Sequence, residues 1–346
     1  MGVNTRAGWR MVAPGRLEHF EEPLEAPPPG WTTVEVLGCG VCHTDIGYLY
    51  EGVPTAWKGP IVLGHEVVGR LVSTGALVVV PSVSPCGDCR SCLRGRPTAC
   101  RASKMPGNHH DGGFATHVNV PARWLCPVPA LPDGVEPWQL SVVADALTTP
   151  WQALQRARVA AGDVCVVVGV GGVGGFLAEL ARSLGAHPVA LDVDPTRLAR
   201  MEALGVPLAL DTRDRDPKAL RKELAGALSA RGLDPDGWHV FECSGSPAGQ
   251  RLAFGLLNRG ATLSVVGFTP EPSPFTLSNL MALDAEAYGN WGCDPGLYPD
   301  VVARVLAGAV DLPGAVARFP LSDAPAVLSA VHRRELGRRA VLVPHA

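Results

Sequence analysis

Val164–Val168 is an unbroken apolar run in which four of five residues are valine, and Gly169-Val170-Gly171-Gly172-Val173-Gly174 follows it directly. Val173–Leu184 then repeats its apolar residues at helical spacing. No other feature constrains the fold as strongly. A strand with no polar face belongs inside a parallel sheet covered on both sides, and a strand–turn–helix unit supplies that covering. Pro188–Leu191, Trp238–Glu242 and Thr262–Val266 read as further buried strands, with Arg197–Leu204 as a helix between two of them. The part before residue 146 differs. It is rich in Val, Gly and Pro, with short apolar runs such as Thr32–Val36 and Ile61–Leu63, and reads as a β-rich domain of short strands. After Asn290 the spacing predicts one helix over Leu297–Ala307 and a last strand over Ala340–Val343. The expected class is therefore α/β, in two domains, as 346 residues also suggest.

Composition excludes several roles. A net charge of −3 gives no reason to expect nucleic acid or an anionic membrane as partner. No run of about 18 apolar residues is present to span a membrane. MGVNTRAGWR lacks an apolar h-region, so no secretory signal is expected there. Ten cysteines without such a signal point to metal ligands and buried thiols in a reducing cytoplasm.

The glycine loop fits GxGxxG in the context its mechanism requires, after a strand and opening a helix. Gly169, Gly171, Gly172 and Gly174 permit the tight turn, and with Val173 they bring backbone N–H groups to a pyrophosphate at the helix N-terminus. Asp192 ends the next strand, about twenty residues on. Its carboxylate suits the ribose hydroxyls of NAD and disfavours a 2′-phosphate; Arg197 would flank the ribose. NAD is the expected cofactor.

Cys86, Cys89, Cys92 and Cys100 follow Cys-x2-Cys-x2-Cys-x7-Cys, the spacing of a closed, sulfur-only structural zinc. Four thiolates also suit an iron–sulfur cluster. Cys42 and His65 would be ordinary buried residues if each stood alone.

The stretches GCGVCHTD (Gly38–Asp45) and GHE (Gly64–Glu66), the four cysteines and GVGGVG occur in this order. They resemble the zinc-dependent medium-chain dehydrogenase/reductase family of alcohol dehydrogenases over essentially the whole chain. The resemblance implies a GroES-like catalytic domain, residues 1–146 and 291–346, around a Rossmann domain, 147–290. It implies two zinc ions, one structural and one catalytic, with Cys42 rather than Cys39 as a ligand beside His65. Asp145 occupies the place of the third ligand, and Glu66 is its alternative. Asp45 would orient His65 through its free ring nitrogen, and Thr44 would take the alcohol proton. Many relatives end that relay with a histidine where this chain has Gly47, leaving solvent, His43, Tyr48 or Tyr50. Arg339 matches a pyrophosphate arginine; Gly267, Phe268 and Asn290 fall where backbone holds the carboxamide.

Finer stretches, among them Gly38–Val53, Ser141–Pro150 and Gly289–Cys293, resemble the branch acting on 6-hydroxycyclohex-1-ene-1-carbonyl-CoA. The implied reaction is oxidation of a ring secondary alcohol to a ketone with NAD. A general alcohol dehydrogenase is the near alternative, and a non-catalytic nucleotide-binding member the distant one. By the same resemblance the expected partners are a small alcohol or acyl-CoA and, as a homodimer or homotetramer, further copies of the chain.

Overall fold

The computed structural model describes residues 5–345. The chain divides into two compact units, Met1–Thr148 with Gly292–Ala346, and Thr149–Trp291.

The first unit is built on antiparallel strands. Trp31–Gly40 lies centrally in a seven-stranded sheet and pairs with Glu66–Leu71, with His117–Pro121 and with the C-terminal strand Arg339–Val343. Val316–Pro320 joins Arg339–Val343 in parallel. Thr5–Ala13, Arg16–Pro23 and Ile61–Val62 form a smaller three-stranded sheet. Valines 34, 36, 67, 78, 118 and 120 meet Phe114, Leu49 and Leu342 in the core, each valine or leucine contributing about 1.5–3 kcal/mol by burial.

The second unit is a six-stranded, all-parallel sheet. Its order is Leu208–Asp211, His187–Asp192, Val164–Val168, His239–Glu242, Thr262–Val265, Glu286–Gly289. Val164–Val168 sits inside it, buried at every residue. The α/β class expected from sequence is present, with β-rich layers in the first unit and an all-parallel sheet in the second.

The C-terminal segment holds more than the single helix the spacing predicts. Tyr298–Leu306 is that helix, but the single turn Leu312–Ala315 and the helix Ala324–His332 follow it, the last with Ala324, Val327 and Leu328 buried one turn apart. Pro325 reads as a breaker in sequence, yet in the first turn a proline gives up no helical hydrogen bond. Pro217–Ser229 hid for the same reason: Asp216 caps it and Pro217 opens it, with Leu220, Leu224 and Leu228 packed inward.

Candidate functional site

Two groups of metal-ligating side chains converge in the first unit. Cys89 immediately precedes the short helix Arg90–Leu93, which carries Cys92; Cys100 follows the 3-10 turn Pro97–Ala99, and Cys86 lies beside it. The Sγ separations are 3.4 Å (Cys86–Cys100), 3.5 Å (Cys89–Cys92), 3.7 Å (Cys89–Cys100) and 4.0 Å (Cys86–Cys92). A tetrahedron with Zn–S bonds of about 2.3 Å has edges of about 3.8 Å, so the four sulfurs fit one zinc. The Cys92 backbone N–H helps pull the Cys89 thiol down to about 7, which makes a thiolate available near neutral pH.

The second group is open. Cys42 stands at the N-cap of the helix His43–Tyr50. Fully buried Asp45 accepts hydrogen bonds from the Cys42 N–H (3.0 Å) and the Gly64 N–H (3.1 Å), and its Oδ1 lies 3.3 Å from His65 Nδ1. One carboxylate thus fixes the segment Gly64–His65, which leads into the strand Glu66–Leu71, against the helix that follows Cys42. His65 Nε2 is buried without a hydrogen-bond partner and points to Asp145 Oδ2 at 3.5 Å. Cys42 Sγ lies 3.9 Å from the same oxygen and 3.8 Å from Thr44 Oγ1. Burial alone would lower the His65 pKa, but Asp45 and Asp145 carry it well above the ordinary value. The surroundings ask for positive charge at Nε2. A divalent cation bound there satisfies that demand and the orphaned lone pair together.

Glu66 belongs to the same group, all four ligand atoms lying within 4.8 Å of one another. Its oxygens are engaged elsewhere: Arg339 donates to Oε2 from Nε (2.9 Å) and to Oε1 from Nη2 (2.5 Å). Both side chains are buried, and burial raises the Glu66 pKa against the pull of Arg339. A Cβ at Gly40 would sit 2.0 Å from Glu66 Oε2 and would push that carboxylate off its arginine. Arg339, read from sequence as a phosphate ligand, has its Nε and one Nη committed to this carboxylate.

Gly47 lies within the helix His43–Tyr50 and leaves no side chain facing Thr44. Of the remaining groups, the Tyr48 phenol is buried and pushed up to about 12, whereas His43 is exposed. The Tyr50 ring stacks on His332 at 4.7 Å.

In the second unit, Gly169 adopts φ +88°, and a Cβ at Gly174 would fall 1.9 Å from the Gly169 carbonyl oxygen. The helix Gly172–Ser183 has Gly171 at its N-cap and includes Val173. Asp192 is 5% exposed and already accepts from the Val170 N–H (2.8 Å), Val193 N–H (2.8 Å) and Asp194 N–H (2.9 Å). It ties the strand end to the glycine loop, with Arg197 Nη1 3.7 Å away.

Gly267 donates its N–H to the Glu242 carbonyl, and Phe268 is exposed. The Asn290 side chain turns inward, donating to the Thr149 carbonyl (3.1 Å) and accepting from Gln152 (3.1 Å). Its N–H is donated to the Val265 carbonyl (2.8 Å), so only its own carbonyl is left for a ligand. Trp291, next to it, is 59% exposed. Glu242 went unnoticed as a functional candidate. Its buried side chain accepts from the Ser244 and Gly245 N–H groups while its carbonyl accepts from Val266 and Gly267, joining two loops. An acid closing a buried strand before Cys-Ser-Gly was the available signal.

Residues 28–130 match the alcohol dehydrogenase GroES-like domain, and residues 172–307 match the zinc-binding dehydrogenase domain. A sorbitol dehydrogenase of Halalkalibacterium halodurans is 31% identical over 270 residues, 73% of this chain and 75% of that protein. An alcohol dehydrogenase of Thermotoga maritima superimposes with TM-score 0.88 at 24% identity, covering 99% of this chain and all of the other. A short chain alcohol dehydrogenase of Escherichia coli CFT073, complexed with NADH, superimposes with TM-score 0.84 at 19% identity, covering 98% and 99%.

Proposed function

The chain belongs to the zinc-binding alcohol dehydrogenase family, and from that membership we propose that it oxidises a secondary alcohol to a ketone with NAD. It is a zinc alcohol dehydrogenase, an oxidoreductase of the EC 1.1.1 class that uses NAD(P). The observation that carries the finer reading is the orphaned His65 Nε2, faced by Asp145 with Cys42 beside it.

When bound, zinc supplies a Lewis acid that lowers the pKa of the alcohol oxygen, and NAD supplies the acceptor for the hydride. The chain's own residues do the rest. Cys42 as thiolate and Asp145 as carboxylate provide two negative charges for a divalent cation, and neutral His65 adds its Nε2. Asp45 accepts from Nδ1–H, which would leave the Nε2 lone pair available to a bound metal. Arg339 keeps Glu66 paired and so holds its carboxylate back from the metal. Thr44 Oγ1, 3.8 Å from Cys42 Sγ, is placed to accept the alcohol proton; with Gly47 beside it, the proton passes to solvent. Asp192 favours NAD over NADP, because its buried carboxylate opposes a 2′-phosphate.

For the substrate, the similarity to a sorbitol dehydrogenase favours alcohols and polyols in general. A ring hydroxyacyl-CoA is the second reading, supported by the sequence stretches and by exposed Arg90, Arg94, Arg96, Arg101 and Lys104 around the four-cysteine lobe. Assembly as a homodimer or homotetramer and a cytoplasmic setting complete the proposal. Ten free cysteines fit a reducing compartment, and among the described residues no helix is long and apolar enough to cross a membrane.

The test is a substrate profile with NAD and NADP over simple secondary alcohols, polyols and 6-hydroxycyclohex-1-ene-1-carbonyl-CoA. NADH formation that a chelator abolishes and zinc restores is the expected result. Turnover that survives full removal of zinc would sink the reading.

A further inference from the structure

We infer that Tyr298 is a positioning residue for the open metal site, holding Asp145 in place through the Ala144 carbonyl. The inference rests on the assignment of Asp145 as a metal ligand.

Tyr298 opens the helix Tyr298–Leu306 and is wholly buried. Its hydroxyl donates to the Ala144 carbonyl oxygen at 2.5 Å and accepts from the Ser82 N–H at 3.1 Å. The Ser82 N–H also reaches the Ala144 oxygen, at 3.3 Å. Packing alone does not explain a phenol here, since a phenylalanine fills the same core with no polar atom to satisfy. Burial pushes the phenol pKa up from its ordinary value of 10, so the hydroxyl stays a donor throughout the working pH range.

Ala144 is the last residue of the 3-10 helix Pro137–Ala144, and carbonyls at a helix end lack a partner within the helix. The chain then leaves helical geometry at Asp145 (φ −147°, ψ −58°), so no regular element holds that residue. The peptide plane ties it to Ala144. The Ala144 carbonyl oxygen and the Asp145 Cα lie in one rigid unit, so fixing the first fixes the second. Aspartate has a single methylene between Cα and carboxylate, one fewer than glutamate, so a backbone shift passes almost undamped to Oδ2. That oxygen stands 3.5 Å from His65 Nε2 and 3.9 Å from Cys42 Sγ, separations a small displacement would spoil. Thr148 Oγ1, 3.5 Å from the Asp145 carbonyl oxygen, steadies the other end of the residue.

The experiment replaces the zinc of the open site with cobalt(II) and reads its visible spectrum, together with zinc affinity by chelator competition. In Tyr298→Phe the cobalt bands should shift and zinc should bind about tenfold more weakly, as when a group supporting a metal ligand is lost. The zinc of the four-cysteine lobe should be retained, which reports that the unit is folded. Should that variant not fold, 4-fluorophenylalanine at position 298 fills the hydroxyl's volume without donating, and should give the same shift. 4-Aminophenylalanine donates again and should restore the native spectrum. Native bands and affinity in the phenylalanine or fluoro protein overturn the inference, as does a shift that the amino analogue leaves uncorrected. Asp145→Ala separates this from the underlying assignment. If it leaves zinc affinity and the cobalt spectrum unchanged, Asp145 is no ligand and the assignment itself fails. If it alters both while Tyr298→Phe alters neither, only the role of Tyr298 falls.

Discussion

At the scale of single residues, the open site depends on how its carboxylates are shared out. Asp45 gives its oxygens to two backbone N–H groups and faces the Nδ1 of His65, while Glu66 gives both of its own to Arg339. Asp145 alone among the three faces the orphaned Nε2. Asp45→Asn keeps the shape but weakens the pull on Nδ1–H, and should lower zinc affinity or kcat/KM by about 10–100-fold, read by metal analysis and steady-state rates. An unchanged value for both would show that Asp45 serves the fold alone. Arg339→Met strands a buried carboxylate and should cost about 3–5 kcal/mol in urea unfolding, most of it regained in the double variant Arg339→Met/Glu66→Leu. If the double variant is no more stable than the single one, burial of Glu66 is not what the arginine offsets.

This scale also shows what a linear sequence reveals. Cys86, Cys89, Cys92 and Cys100 are legible as a group because short spacing forces them together. Cys42 and Asp145 are 103 residues apart, and only resemblance to a family set them side by side. The inward turn of Asn290 and the commitment of Arg339 to Glu66 were illegible, since neither leaves a local pattern.

Among elements, those buried on both faces were the easiest to read. Val164–Val168 is a strand with the bounds its composition marks, because only a central parallel strand tolerates five apolar residues in a row. The helices Pro217–Ser229 and Ala324–His332 were missed, each masked by a proline that is harmless in a first turn. The glycine loop allows a sharp test. Gly174→Ala places a methyl 1.9 Å from the Gly169 carbonyl oxygen, so the strand–helix turn must open. NAD affinity, measured by calorimetry, should fall at least about tenfold with zinc content unchanged, since close backbone approach is what the motif provides. Native affinity would mean that the loop relaxes freely and that its glycines are not set by this approach.

At the scale of the whole molecule, the first unit carries an acid sensitivity unrelated to metal. Half-buried His110 packs edge-on against Trp31, and desolvation lowers its pKa to about 4, well below the ordinary 6.5. The unfolded chain therefore binds its proton first, and stability falls as pH drops from about 6.5 through about 4. The loss is up to about 3 kcal/mol for this group. Metal-free protein should show a smaller decline between pH 7 and pH 4.5 in His110→Gln than in the unaltered chain, followed by urea midpoints. Equal declines would place the sensitivity elsewhere.

The central claim is that Cys42, His65 and Asp145 hold a zinc ion that alcohol oxidation requires. Zinc content and alcohol-dependent NADH formation, measured on the same samples of the unaltered chain and of Asp145→Ala, test it most directly. The account predicts two zinc ions per chain and turnover in the first, and one zinc ion, held by the four cysteines, without turnover in the second. Two zinc ions and undiminished turnover in Asp145→Ala would contradict it.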